Sequence, residues 1–194
     1  MSAAQPKILV FAGSVRKESF NRKLAHQAAA AVRSAGGDVT ELELRDFPLP
    51  LFDQDDEAAN GLPENAKKLK KLFVEHRGLL IASPEYNSSI TPLLKNTLDW
   101  VSRTGHGEGP LAAYHGKVAG LVSASPGLLG GMRALVTVRS MLSNIGVIVL
   151  PEQLSVSKAN EAFETDGSLK DAKQRATLEK IAKRLVETVG KLAG

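Results

Sequence analysis

The sequence predicts an α/β fold in which a five-stranded parallel sheet, in the strand order 2-1-3-4-5, lies between two layers of helices. Three observations carry this. Five short apolar runs alternate with segments of helical periodicity along the 194 residues. The first and third runs, 7–11 and 78–83, are almost wholly apolar, as strands covered on both faces must be. Five strands also fit this order better than the six-stranded dinucleotide fold, with right-handed crossovers expected.

Residues 7–11 read as the first strand. Residues 19–35 read as a helix, because Leu24, Ala28, Ala31 or Val32, and Ala35 repeat on one face, and Gly36 and Gly37 stop it. Residues 39–44 alternate between two faces and suit a strand nearer the edge. Residues 45–61 read as one long loop, since Pro48 and Pro50 exclude regular structure. Its apolar part, from Phe47 to Phe52, either lids the sheet or packs on a neighbouring subunit. Pro63 opens a helix that runs to Glu75. The third strand is followed by the loop 84–89 and a helix over 91–102, with Pro92 in its first turn. A Gly-rich connection, 104–115, leads to the fourth strand, 117–123. The loop 124–131 precedes a helix over 132–144, and 146–150 is the fifth strand. Residues 155–167 read as irregular. A helix over 171–192 closes the chain, with Leu178, Ile181, Leu185, Val189 and Leu192 on one face. No repeat interrupts this order, and 1–194 reads as a single domain.

The composition narrows the function. With 43% hydrophobic and 24% charged residues, the chain is that of a folded globular protein. It has no cysteine. That excludes disulfides, thiolate metal sites and cysteine nucleophiles, and fits the reducing cytoplasm. The first seven residues carry no signal-like apolar stretch. No run approaches the roughly 20 apolar residues of a membrane helix, so a membrane is not an expected partner. The net charge is +4, with Lys and Arg dispersed. The tightest group, Lys67, Lys68, Lys70 and Lys71, sits on a helix face, so nucleic acid is not expected either. A mild positive balance suits anionic cofactors. The histidines at 26, 76, 106 and 115 share no spacing, and no metal site is expected.

In the 2-1-3-4-5 order, the loops after strands one, three and four are neighbours beyond the strands' C-terminal ends, at the switch point where ligands bind. The first runs through Gly13, Ser14, Arg16, Ser19, Phe20 and Asn21. A strand turning into a helix here offers backbone N–H groups and a positive helix end to an anion. Ser14, Ser19 and Asn21 add neutral donors, and Arg16 a charge-assisted contact. The plainer alternative is an ordinary turn with Ser19 or Asn21 as helix N-cap. The second loop offers Pro84, Glu85, Tyr86 and Asn87. Glu85 is equally a ligand contact or an acid near a helix start, and Tyr86 equally lines a ring or closes the loop. The third loop, 123–131, is rich in small residues that let a flat ring lie close to backbone. A tricyclic isoalloxazine, polar along one edge and apolar on its faces, needs such a place.

These residues carry a resemblance. Gly13-Ser14-Val15-Arg16-Lys17-Glu18-Ser19-Phe20-Asn21 resembles the phosphate loop of the NADPH-dependent FMN reductases, the flavodoxin-like group that includes chromate, quinone and azo-dye reductases. Pro84-Glu85-Tyr86-Asn87 resembles that group's flavin loop. Leu94-Lys95-Asn96-Thr97-Leu98-Asp99-Trp100 resembles one of its helices, and Gly130-Gly131 its paired glycines. The resemblance covers nearly the whole chain and implies a flavodoxin-like three-layer αβα sandwich. It implies FMN bound non-covalently, with Ser14, Arg16, Ser19 and Asn21 at the phosphate. Pro84, Glu85, Tyr86 and Asn87 would lie at the ring, with Ser123 and Gly127 on its other side. It implies NADPH or NADH as co-substrate and a homodimer or homotetramer. The connection 104–115 departs from it by its length.

The function expected is therefore an FMN-dependent NAD(P)H oxidoreductase working by a ping-pong mechanism. NAD(P)H reduces the flavin at N5, and a small acceptor then takes the electrons: a quinone, azo dye, nitroaromatic, chromate or free flavin. The flavin carries the chemistry, so no catalytic side chain is expected. The alternatives are an electron carrier that docks on proteins without oxidising NAD(P)H, and a non-redox enzyme acting on a phosphorylated nucleoside. The net positive charge weighs against the carrier. The segment 123–127 lacks the nucleophile elbow of a serine hydrolase.

Overall fold

The structure, a computed structural model, describes residues 5–105 and 107–192. Strands β1 (Lys7–Ala12), β2 (Asp38–Leu42), β3 (Gly78–Ala82), β4 (Val118–Ala124) and β5 (Ile148–Val156) pair in parallel in the order β2-β1-β3-β4-β5, as the sequence predicts. Alternate side chains of a strand meet opposite layers. Ile8, Val10 and Ala12 of β1 join a core with α1 (Phe20–Ser34) and α6 (Ala172–Leu192). Leu9 and Phe11 join the other core, with α3 (Glu64–Glu75), α4 (Pro92–Ser102) and α5 (Met132–Asn144). β3 and β4, covered on both sides, are buried along their whole length.

Three boundaries differ from the sequence reading. The segment 45–61 is not one loop. A 3-10 turn, Leu44–Asp46, follows β2, and a helix, α2 (Gln54–Asn60), forms after the prolines. Asp53 caps α2 by accepting from the N–H groups of Asp55 (2.8 Å) and Asp56 (3.3 Å). Proline disrupts structure only near itself, and this helix starts beyond its reach. β5 runs on to Val156 past Pro151. The register slips there: Ala119 pairs with Val149, but Leu121 pairs with Gln153. Proline is tolerated at such a bulge on an edge strand, where no partner waits for its missing N–H.

The apolar loop before α2 is a local lid. Asn96 of α4 accepts from the Phe52 N–H at 2.8 Å and donates to the Pro50 carbonyl at 2.8 Å. The indole N–H of Trp100 donates to the same carbonyl at 2.9 Å, and the Phe52 ring meets the Trp100 ring edge-on at 5.0 Å. Thus Asn96 and Trp100, one turn apart on α4, hold the lid.

Candidate functional site

The loops after β1, β3 and β4 meet at the C-terminal ends of their strands. Their contacts are made by polar side chains. Asn21 donates to the Ala124 carbonyl at 2.8 Å and accepts from the Ala124 N–H at 3.0 Å. Thr91 caps α4 by accepting from the Leu94 N–H at 3.2 Å, and its hydroxyl donates to the Gly13 carbonyl at 2.8 Å. Ser123 donates to the Ser83 carbonyl at 2.7 Å. Gly13 is glycine because of packing: a Cβ there would lie 2.9 Å from Leu94 Cβ and 3.2 Å from Pro84 Cδ.

Between the loops lies a crevice enclosing about 70 Å³. Ser14, Arg16, Ser19 and Phe20 line one side, and Pro84, Glu85 and Tyr86 another. Asn21 and the segment 124–126 complete it. Eight of the sequence-predicted residues thus come together. Four stand apart from the lining. Gly13 is packed beneath it, and Ser123 is fully buried under Gly131. Asn87 is on an exposed turn, and Gly127 is exposed further along its loop.

The loop after β1 is held from outside. Arg22 donates to the carbonyls of Arg16 (3.4 Å) and Lys17 (3.2 Å), and Arg45 to that of Val15. Glu43 accepts from Arg22 at 3.0 Å and fixes it. In a trans peptide the C=O and the following N–H point opposite ways. The N–H groups of Lys17 and Glu18 therefore turn away from Arg22. Among the described residues, the N–H groups of Lys17, Glu18 and Ser19 find no acceptor. Ser14 and Ser19, 8% and 5% exposed, border them, and the Arg16 side chain has no partner among the described residues.

Glu85 is committed elsewhere. Its carboxylate accepts from the N–H groups of Arg133 (3.0 Å) and Ala134 (3.3 Å) at the start of α5, and from the Arg133 Nε at 2.8 Å. It supplies the cap that Gly131 cannot. Tyr86 opens a tight turn in which Asn87 (φ 50°) and Ser88 (φ 67°) are both left-handed. The Tyr86 N–H donates to the Ser89 carbonyl at 2.9 Å. This turn presents the Tyr86 ring, 49% exposed, at the crevice edge.

A larger groove of about 410 Å³ adjoins the crevice and shares Ser14 and Ser19 with it. Glu41 and Glu43 line it. Lys17, Arg22 and Lys23 line it too, against Glu41, Glu43 and Asp166, so its charges balance, whereas Arg16 lines the smaller crevice.

Comparison with known proteins fits this geometry. The sequence pattern of the family described as NADPH-dependent FMN reductase matches residues 6–161. The chain belongs to that family. It is an oxidoreductase that uses FMN and NAD(P)H. An NAD(P)H-dependent FMN reductase of Pseudomonas aeruginosa is 32% identical over 190 residues, covering 97% of each chain. An NAD(P)H:quinone oxidoreductase of Solanum tuberosum is 35% identical over 200 residues, covering 99% of this chain and 98% of its own. Among solved structures, the flavoenzyme NAD(P)H:(acceptor) oxidoreductase FerB of Paracoccus denitrificans superposes with a TM-score of 0.81 at 27% identity, covering 96% of this chain and 98% of its own.

The residues present fit this family's cofactor. A phosphate monoester needs several N–H donors and positive charge, and the turned N–H groups with Arg16 supply both. Among the described residues no helix is long and apolar enough to cross a membrane, and no group of three His, Asp or Glu could hold a metal ion. His106 lies outside those residues.

Three contributors escaped the sequence reading. Arg22, Arg45 and Thr91 touch the site's frame rather than its lining. Thr91, directly before a proline, carried the signal of a helix cap. Nothing in the sequence marked Arg45, which acts across 30 residues.

Proposed function

We propose that the chain, working as one unit of 194 residues, holds FMN non-covalently in this crevice and passes electrons from NAD(P)H to quinones and related small acceptors. The observation that carries this is the run of N–H groups at Lys17, Glu18 and Ser19 that find no acceptor among the described residues, next to Arg16, whose side chain lines the crevice with no partner among those residues. Arg16, Ser14 and Ser19 bind the phosphate. Asn21 shapes their cradle by tying α1 to β4. The backbone at Pro84–Tyr86 and at Ser125–Pro126 borders the ring, and Tyr86 lies beside the place where small substrates enter. When bound, FMN supplies the two-electron chemistry itself. No side chain in the crevice needs to move a proton for that.

Quinones come first among acceptors because a relative covering nearly the whole chain is named for them. A homodimer or homotetramer is proposed from exposed apolar side chains. Leu128 (82%) and Leu51 (80%) stand out, with Leu129, Met132 and Val136 on or beside α5. Such side chains favour burial against another copy. The cysteine-free sequence and mild charge suit a cytoplasmic enzyme whose partners are neither nucleic acid nor membrane.

The test is a visible spectrum of the FMN-loaded protein under anaerobic NADPH, followed by a quinone. Bleaching and recolouring, with catalytic NADPH oxidation, is expected. A protein that binds FMN but oxidises no NADPH would instead be a carrier, and one that cannot be loaded would sink the site.

A further inference from the structure

The segment after β5 reads from sequence as irregular, yet it is an ordered hairpin whose tip, Thr165, Asp166 and Gly167, lines the larger groove beside the crevice. The N–H of Glu164 donates to the Ser168 carbonyl at 2.8 Å, and that of Lys170 to the Ala162 carbonyl at 2.9 Å. Gly167, at φ 85°, makes the turn. The base is anchored. Ala159 and Leu169 are each 1% exposed in the core shared with α1 and α6. Arg175 of α6 donates to the carbonyls of Leu169 and Lys170.

Two contacts link the hairpin segment to residues that line the crevice. The Ala159 N–H donates to the carbonyl of Ser125, in the loop after β4, at 3.1 Å. Phe163 stacks on Phe20, with ring centroids 6.2 Å apart and planes 6° from parallel. Phe20 is the first residue of α1 and lines the crevice between Ser19 and Asn21. Asn21 pins this turn from the sheet side. Phe163 holds it from the outer side.

We infer that the hairpin over 159–170 is a brace for the phosphate end of the cofactor crevice, with Phe163 as its positioning residue. Phe163 is absent from the crevice lining and acts through Phe20. Removing the stack frees the first turn of α1 and blurs the placement of the Lys17–Ser19 N–H groups and the Ser19 hydroxyl. The loss falls on the part of the ligand those groups recognise, which is the phosphate. This rests on the proposed site for FMN, and the test separates the two.

The experiment titrates the full-length apoprotein with FMN and, separately, with riboflavin, which has the same ring but no phosphate. Flavin fluorescence reports both dissociation constants. Phe163→Ala should raise that of FMN about tenfold, the scale of one aromatic pair with its buried area. Riboflavin binding should stay within about twofold. Phe163→Tyr, which keeps the ring, should restore FMN binding. Equal weakening of both flavins would make Phe163 merely structural and overturn the brace, as would no change for either. Arg16→Ala is run beside them. If it weakens FMN while Phe163→Ala does not, only the brace falls; if neither does, the crevice is not the phosphate site. Should Phe163→Ala fail to fold, Phe163→Leu replaces it with the same expectation, a loss for FMN alone.

Discussion

Asn21→Ala tests how the site is assembled without any ligand present. The Asn21 side chain, 4% exposed, makes two hydrogen bonds to one residue, Ala124, itself 3% exposed at the end of β4. Alanine removes both bonds and leaves a buried N–H and a buried carbonyl without that partner. Each such bond contributes about 1 kcal/mol, and each stranded polar group costs about 1–3 kcal/mol. The two terms describe the same loss, so the expected destabilisation is about 2–4 kcal/mol. For a chain of this size that lowers Tm by roughly 5–15 °C. Thermal unfolding of the apoprotein, followed by circular dichroism, reads it. Asn21→Asp is the control. It keeps the acceptor for the Ala124 N–H but loses the donor, and sets a carboxylate beside the phosphate cradle. Its apoprotein should be no more stable than that of Asn21→Ala, because one carboxylate oxygen then faces the Ala124 carbonyl in a buried place, and its FMN affinity should be lower. An Asn21→Ala apoprotein melting within 1–2 °C of the parent would refute the reasoning, since two buried bonds would then contribute nothing.

Arg16→Ala should leave the apoprotein as stable as the parent, because the side chain has no protein partner among the described residues. It should weaken FMN binding by about 1.5–3 kcal/mol, the range for a hydrogen bond to a charged group; unchanged affinity by fluorescence titration would remove Arg16 from the site. Gly131→Ala should lower Tm by roughly 5–10 °C. Its φ is 88°, and a Cβ would fall 1.8 Å from the Ser123 hydroxyl that holds the Ser83 carbonyl; an unchanged Tm would mean the loop moves freely. Lys117 is 3% exposed and donates to the His76 carbonyl at 2.6 Å. Burial, with the Arg77 cation second, pulls its ammonium from the ordinary 10.5 to about 8. Between those values the folded chain has released a proton that the unfolded chain keeps, so stability should rise with pH, by up to about 3 kcal/mol. Urea midpoints of the parent relative to Lys117→Met should show that rise, and a constant difference from pH 8 to 10.5 would contradict it.

The sheet order was legible because one physical rule links it to the loops. Gly, Ser, Asn and Pro gathered after strands one, three and four mark strands whose ends adjoin a ligand site. The lost elements failed for particular reasons. α2 was hidden by extending the effect of Pro48 and Pro50 too far, although Asp53 and Gly61 framed a short helix. The fifth strand runs past residue 150 through Pro151, and nothing local in the sequence says that β5 is an edge strand with a bulge. At the site, an asparagine at a helix start can cap, bind ligand or clamp another strand. Only the position of Ala124 decides for the clamp. Glu85 left the same choice open, and the N-terminus of α5, 48 residues on, takes its carboxylate.

Three helices begin around the crevice, and their starts are treated differently. α5 has a protein carboxylate, Glu85, on its first N–H groups. α4 has the Thr91 hydroxyl and a proline that removes one donor. α1 has only Ser19, accepting from Arg22 at a long 3.4 Å, with no acid in its first turn. A helix start with unspent donors favours an external anion. The arginines strengthen this asymmetry. Arg22 and Arg45 take the loop's carbonyls, groups that would repel a phosphate, and Glu43 offsets the charge of Arg22 on the far side. Arg16 alone of the three presents its charge to the crevice. We therefore expect selectivity for a phosphorylated flavin to arise at α1, the one of these three starts whose donors meet neither a carboxylate nor a proline.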